Sequence, residues 1–344
     1  MGFRKSVALT GVVAGLLSLS LVTPAMAGKT IDAIKARGQL VCGVNTGLAG
    51  FSAADSSGNW TGLDVDICKA IAASLLGDST KVKWAPLNAQ QRFTALQSGE
   101  VDVLSRNTTF TLTRDASLGL LSTTPTYYDG QGFMVTKKSK ITSAKQLKNA
   151  EVCVQSGTTT EKNLNDYFKG QGIKIKPVVF EGFEASVKAF FSGRCQAYTT
   201  DASGLASIRN KEAKNPDDYV ILPELISKEP LGPMVRRGDE DFYAVVKWVV
   251  YALLEAEEYG ITSENIDSMK TNTDPAIARI LGTSEDTGKL LGLDKDWAYR
   301  AIKAVGNYGE VFERNVGPKS PLKLPRGLNN LWSKGGIQYA MPIR

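Results

Sequence analysis

Three short stretches of this chain carry residue types suited to holding a small charged molecule. Residues 106–114 read Arg-Asn-Thr-Thr-Phe-Thr-Leu-Thr-Arg, dense in hydroxyls and ending in the guanidinium of Arg114. Residues 156–161 read Ser-Gly-Thr-Thr-Thr-Glu, a small turn opening a helix, where free backbone N–H groups are offered to an anion. Asp201 is a lone carboxylate at the end of Ala197-Tyr198-Thr199-Thr200. An arginine fork and a helix N-terminus suit a carboxylate, and the aspartate suits an ammonium, so the set matches a zwitterion. Each part alone has a plainer explanation. A threonine-rich loop is commonly a cap and turn, a strand-end aspartate commonly caps the next helix, and Arg114 could pair with a surface acid.

The pattern around these stretches predicts an α/β protein in which they all follow strands. Strands are expected at 40–44, 81–84 and 101–105, separated by helices at 64–76 and 89–97. The order repeats with strands at 151–155, 174–180 and 196–200 and helices at 160–168 and 184–191. Gly-rich punctuation at 127–132 separates the two units, and Pro230-Leu231-Gly232-Pro233 breaks the chain again. A long helix over 239–258 follows, its apolar face made by Phe242, Val245, Val246, Val249 and Leu253, with Asp239, Glu240 and Asp241 at its positive end. Two similar α/β lobes joined by two crossovers would leave a cleft between them. Ligands of open α/β sheets bind beyond the carboxyl ends of strands, where the three stretches fall.

Composition narrows the chemistry. The 344 residues contain no histidine, which excludes Ser-His-Asp and Cys-His machinery and HExxH zinc sites. Arg4 and Lys5, an apolar run from Val7 to Val22, and the Ala25-Met26-Ala27 motif form an export signal, with cleavage expected after Ala27. Removing it leaves 39 basic and 35 acidic residues, a net of +4 from the full-length +6, with no basic stripe for nucleic acid. Four cysteines in an oxidising compartment allow three connectivities, and none sits in a CxxC pair.

Several runs carry a family likeness: Gly62-Leu63-Asp64-Val65-Asp66, residues 93–102, 107–114, 122–128, 152–161 and 193–201. In the tail, 305–310, 326–329 and 335–339 add to it. With these motifs the chain resembles the periplasmic amino-acid-binding proteins of polar amino-acid ABC transporters, most closely the general L-amino-acid-binding subfamily. The resemblance implies a two-lobed periplasmic-binding-protein (type II) fold, each lobe a mixed sheet flanked by helices, with two crossover hinges and an extended helical C-terminal segment. One lobe would comprise 28–128 and 234–344, with the extension starting near 259, and the other 129–233. It further implies that Arg114 clamps a ligand α-carboxylate with donors from Thr109, Thr159 and Ser156. Asp201 and the Asn107 carbonyl would take the α-ammonium, and Arg92 would meet the ligand side chain. Many relatives stack an aromatic ring on the ligand where this chain has Gly47-Leu48-Ala49-Gly50; Leu48 cannot stack in that way, Phe51 could, and the identity of the ring stays open.

The expected function is periplasmic binding of L-amino acids with broad specificity, as a monomer that delivers them to membrane permease subunits, without a cofactor, metal or catalytic step. A binder restricted to Glu, Gln, Asp and Asn is the alternative that Arg92 suggests. An enzyme resembling cyclohexadienyl dehydratases would need a cleft carboxylate acting on a substrate without an α-ammonium. The cysteines should pair as Cys42–Cys68 and Cys153–Cys195, one bridge inside each lobe, because cross-lobe bridges would lock a clamp that must open.

Overall fold

The structure is a computed structural model that describes residues 1, 2 and 29–344; the export signal read from the sequence lies outside the described residues. Two five-stranded sheets dominate. In the first, the order is Val82–Pro86, Leu40–Val44, Val103–Leu104, Met234–Arg236, Leu120–Ser122. The first three strands run parallel, and Met234–Arg236 is antiparallel to both of its neighbours. The second sheet repeats the plan: Lys176–Phe180, Glu151–Gln155, Ala197–Asp201, Gln131–Thr136, Tyr219–Ile221, with Gln131–Thr136 the antiparallel strand.

The chain leaves the first sheet after Leu120–Ser122 and returns to it at Met234–Arg236. Both crossings are strands, Tyr127–Asp129 and Glu229–Leu231, paired antiparallel with Glu229 opposite Asp129 and Leu231 opposite Tyr127. This ribbon is the hinge between the lobes. The two stretches read from sequence as punctuation, 127–132 and 230–233, are therefore partly strand. They are too short to show a period, and their glycines and prolines outweigh the local signal.

Each sheet is closed by helices. Phe242, Val245, Val246, Val249 and Leu253 of helix Glu240–Glu258 are all buried, as the apolar face predicts. That helix packs with Leu63–Leu76, Trp297–Val305 and Tyr308–Asn315 around the first sheet. In the second lobe, Phe133, Val152, Val154, Leu164 and Phe168 fill one side of the sheet, and Met134, Val187, Phe190 and Tyr198 the other. At the head of helix Leu63–Leu76, Gly62 has φ +134°, and a Cβ there would lie 2.0 Å from the Phe51 carbonyl. Only glycine fits, and the tight approach sets Asp64 at the start of that helix.

The C-terminal segment runs back to the hinge. Asn329 accepts from the Tyr128 N–H at 2.6 Å and donates to its carbonyl at 3.1 Å, and the Tyr308 hydroxyl donates to the Thr126 carbonyl at 2.8 Å. Tyr127 stacks on Phe312 with ring centroids 6.1 Å apart.

Bridges join Cys42 to Cys68 and Cys153 to Cys195, each within one lobe, over 26 and 42 residues. Constraining loops of those lengths stabilises by about 3–4 kcal/mol each in the chain-entropy model. Reduction should therefore lower the melting temperature while leaving the cleft working below it. Melting curves with and without reductant, followed by a binding titration on the reduced protein, check this; unchanged melting would contradict it.

Candidate functional site

Asp201 ends strand Ala197–Asp201 and occupies the N-cap position of helix Ala202–Glu212, where its side chain would normally bond the first amides. It does not. Asp129, from the hinge, performs that duty: its carboxylate accepts from the Ser203 N–H at 3.3 Å and from the Ser203 hydroxyl. Among the described residues the Asp201 carboxylate makes no hydrogen bond to protein, although the residue is only 7% exposed. Burial first, then the neighbouring Asp129 and Glu229, raise its pKa well above the usual carboxylate range, while Arg92 and Arg114 oppose them.

Asp201 faces a partly open cavity between the lobes. The first lobe contributes Leu48, Arg92, Arg106, Asn107 and Thr109, and the second Thr158, Thr159, Thr160 and Phe183. Arg92 and Arg106 are 3% and 2% exposed. The Arg92 Nε and an Arg106 Nη are buried with no protein partner. Burial lowers the pKa of each, most for Arg92, whose charge is also opposed by Arg106 and Arg114. The cavity thus has a cationic wall with unspent donors and a single carboxylate with unspent acceptors.

Local geometry explains how these groups arrive. Asp64, buried at the start of its helix, accepts from the Asn107 N–H at 2.7 Å and the Ser105 hydroxyl at 3.3 Å. That pins the turn after strand Val103–Leu104, where Asn107 sits at φ +35°, a conformation asparagine tolerates better than most residues. Burial pushes Asp64 up to about 6. Across the cleft, Gly157 at φ +72° lets the turn before helix Thr159–Gly170 reach Gln90, where a Cβ would meet a side-chain carbon at 2.8 Å. Thr158 caps that helix through the Glu161 N–H at 3.1 Å, and the leading amides of Thr159 and Thr160 have no intrahelical partner.

The structure brings Arg92, Asn107, Thr109, Thr159 and Asp201 to this one cavity, and places the other expected site residues elsewhere. Arg114 stands behind Thr109, donating to its carbonyl at 2.7 Å. Its guanidinium lies 4.9 Å from the Phe93 ring centre, with Arg92 at 4.7 Å from the same ring. Ser156 accepts from Gln90 Nε2 at 3.0 Å, a bond between the lobes. Phe51 is not on the cavity wall. The Leu48–Ser52 turn tucks its ring into the core, 5.3 Å from Tyr127, and the aromatic ring at the cavity is Phe183 of the other lobe. The hydroxyls of Thr109 and Thr159 both donate to the Glu229 carboxylate, at 2.6 and 2.8 Å, which leaves their backbone N–H groups toward the cavity. Sequence reading missed Arg106, Phe183 and Glu229. Arg106 could have been found, because it directly follows the strand that leads into the threonine run.

Two lobes on a paired-strand hinge, closing over a cavity of opposite charges, define a binding protein of the clamp type. The chain belongs to the bacterial extracellular solute-binding proteins, family 3, whose pattern matches residues 40–265. It is 56% identical to the general L-amino acid-binding periplasmic protein AapJ of Rhizobium johnstonii, over 98% of this chain and 99% of that one. It is 52% identical to the glutamate/glutamine/aspartate/asparagine-binding protein BztA of Rhodobacter capsulatus, over 99% and 98%. A periplasmic binding protein from Brucella ovis, solved with glutathione bound, superposes with a TM-score of 0.90 at 56% identity, over 92% of this chain and 99% of that one.

A buried carboxylate without a donor is a stability defect that a ligand would relieve. Because the Asp201 pKa is raised on folding, its cost is absent at low pH and grows as pH rises through the folded value. Asp201→Asn should therefore melt higher than wild type at neutral pH without ligand, by about 1–3 kcal/mol, and lose that advantage toward pH 4. Melting curves across pH test this; a variant less stable at neutral pH would make Asp201 a structural cap.

Proposed function

We propose that this protein captures free L-amino acids in the periplasm and hands them to the permease of an ABC transporter, as a monomer that performs no reaction. The export signal over residues 1–27, cleaved after Ala27, belongs to the same proposal. The observation that carries it is that the Asp201 carboxylate and the buried Arg92 and Arg106 line one cavity between the lobes. Asp201, with the Asn107 carbonyl, receives the α-ammonium. The α-carboxylate is received by backbone N–H groups at Thr109, Thr159 and Thr160, with the charge of Arg114 behind them. Both threonine hydroxyls are committed to Glu229, so backbone donors take the role the hydroxyls would otherwise have.

Anchoring the α-groups gives affinity common to all L-amino acids, and preference then comes from what meets the side chain. Arg92 and Arg106 favour acidic and amide side chains within a broad range. The names of the two relatives bracket this reading, one general and one restricted to four amino acids. A second reading has an observation of its own. A groove of about 730 Å³, with Lys188 and Lys211 on its walls, shares Phe183 with the cavity. The γ-glutamyl head of a peptide such as glutathione carries the same α-groups, and the groove has room for its remainder.

A thermal-shift panel of the standard L-amino acids, their D-forms and glutathione tests both readings, since a ligand at 100 times its Kd adds about 2.7 kcal/mol. Stabilisation by several L-amino acids and by none of their D-forms is expected; no stabilisation by any would overturn the function. Arg92→Ala should lower glutamate and aspartate relative to leucine and alanine by about tenfold or more, whereas an equal loss across the panel would assign Arg92 a structural part.

A further inference from the structure

Glu229 lies on a hinge strand, 1% exposed and outside the cavity wall. Its Oε2 accepts from the hydroxyls of Thr109 and Thr159, at 2.6 and 2.8 Å. Its Oε1 accepts from Asn163 Nδ2 at 2.8 Å and from the Ser227 hydroxyl at 2.6 Å. All four partners are donors. A carboxylate has about four acceptor sites on its two oxygens, so this one is saturated and its charge is spread over charge-assisted bonds. A glutamine of the same shape would turn an NH2 against two donors.

The four partners belong to parts that must separate when the cleft opens. Thr109 follows the strands of the first lobe, Thr159 and Asn163 ride on helix Thr159–Gly170 of the second, and Ser227 precedes the returning hinge strand. The hydroxyl oxygens of Thr109 and Thr159 are 3.4 Å apart, held by one carboxylate oxygen. Swinging the lobes apart parts these hydroxyls, and Glu229 can follow only one. Among the described residues, the other side-chain ties across the cleft are three between neutral groups, Gln90 to Ser156 at 3.0 Å, Ser207 to the Ala49 carbonyl at 2.8 Å and Asn210 to the Pro321 carbonyl at 3.2 Å, and one long contact from Arg92 Nη2 to the Gly157 carbonyl at 3.5 Å. Hydrogen bonds to a buried charge are worth more than those between neutral groups, and leaving the charge short of donors costs more.

We infer that Glu229 is a positioning residue that couples closure of the cleft to the threonine pair on the cavity wall, and so sets how long an enclosed ligand stays. The inference rests on the amino-acid-binding function proposed above. Glu229 never touches the ligand; it holds Thr109 and Thr159 in the arrangement that exists only when the lobes are shut.

The test is stopped-flow binding of L-glutamate to wild type, Glu229→Gln, Asn163→Ala and the double variant. Asn163→Ala removes one partner of Glu229 without altering the cavity wall, and keeps the test usable should Glu229→Gln fold poorly. Glu229→Gln should release ligand at least tenfold faster with association changed less than threefold. Asn163→Ala should raise release severalfold, and the double variant should be no faster than Glu229→Gln alone. A merely structural role would lower melting without moving the off-rate. An off-rate equal to wild type in both single variants, or rate effects that multiply in the double variant, would overturn the coupling. Failure of wild type itself to bind any amino acid would remove the proposed function, and this inference with it.

Discussion

A carboxylate held out of water without donors is costly unless a cation comes to it, and the arrangement of this protein follows from keeping Asp201 in that condition. The aspartate sits where a helix cap belongs, yet Asp129 caps the helix from the hinge and leaves Asp201 free toward the cavity. Opposite it, Arg92 and Arg106 are buried more deeply still, each with an N–H that no protein atom accepts. These charges are separated across the cleft and do not neutralise one another directly. A zwitterion placed between them satisfies both sides at once, which an uncharged solute cannot do. On the proposed function, the preference for such a molecule comes before any side-chain pocket.

The sequence made most of this legible, and unevenly. The parallel strands and their helices carried clear periods, so Leu40–Val44, Glu151–Gln155 and Ala197–Asp201 fell where expected within a residue. Asp201 and Thr159 followed from that, because they stand at strand ends. The hinge strands did not show, being three residues each, Tyr-Tyr-Asp and Glu-Pro-Leu, with glycines and a proline just beyond them. Glu229 vanished with them, since its role depends on a pairing across about a hundred residues that no local pattern records. The ring at the ligand stayed open between Phe51 and other aromatics because an aromatic near a ligand loop and an aromatic in a core look alike in sequence. Only the turn from Leu48 to Ser52 decides which way the Phe51 ring points.

The C-terminal segment extends beyond the part of the chain that the family pattern covers, and it is tied to the hinge. Asn329 fills both backbone groups of Tyr128, and Tyr308 and Gln338 bond the carbonyls of Thr126 and Pro125. Arg326 lies over the rings of Tyr308 and Phe312 and pairs with Glu257 at 3.0 Å. The first half of the crossing is thereby fastened to the first lobe.

The central claim is that the ligand is recognised by its α-ammonium and α-carboxylate together. The most direct measurement is calorimetric titration with the L-amino acid that stabilises the protein most, alongside its N-acetyl derivative. Acetylation keeps the carboxylate and the side chain but removes the charge that Asp201 would meet. The account predicts a loss of affinity of about 2–5 kcal/mol, enough to remove measurable binding of all but the tightest ligands. Equal affinity for the free and acetylated forms would contradict it.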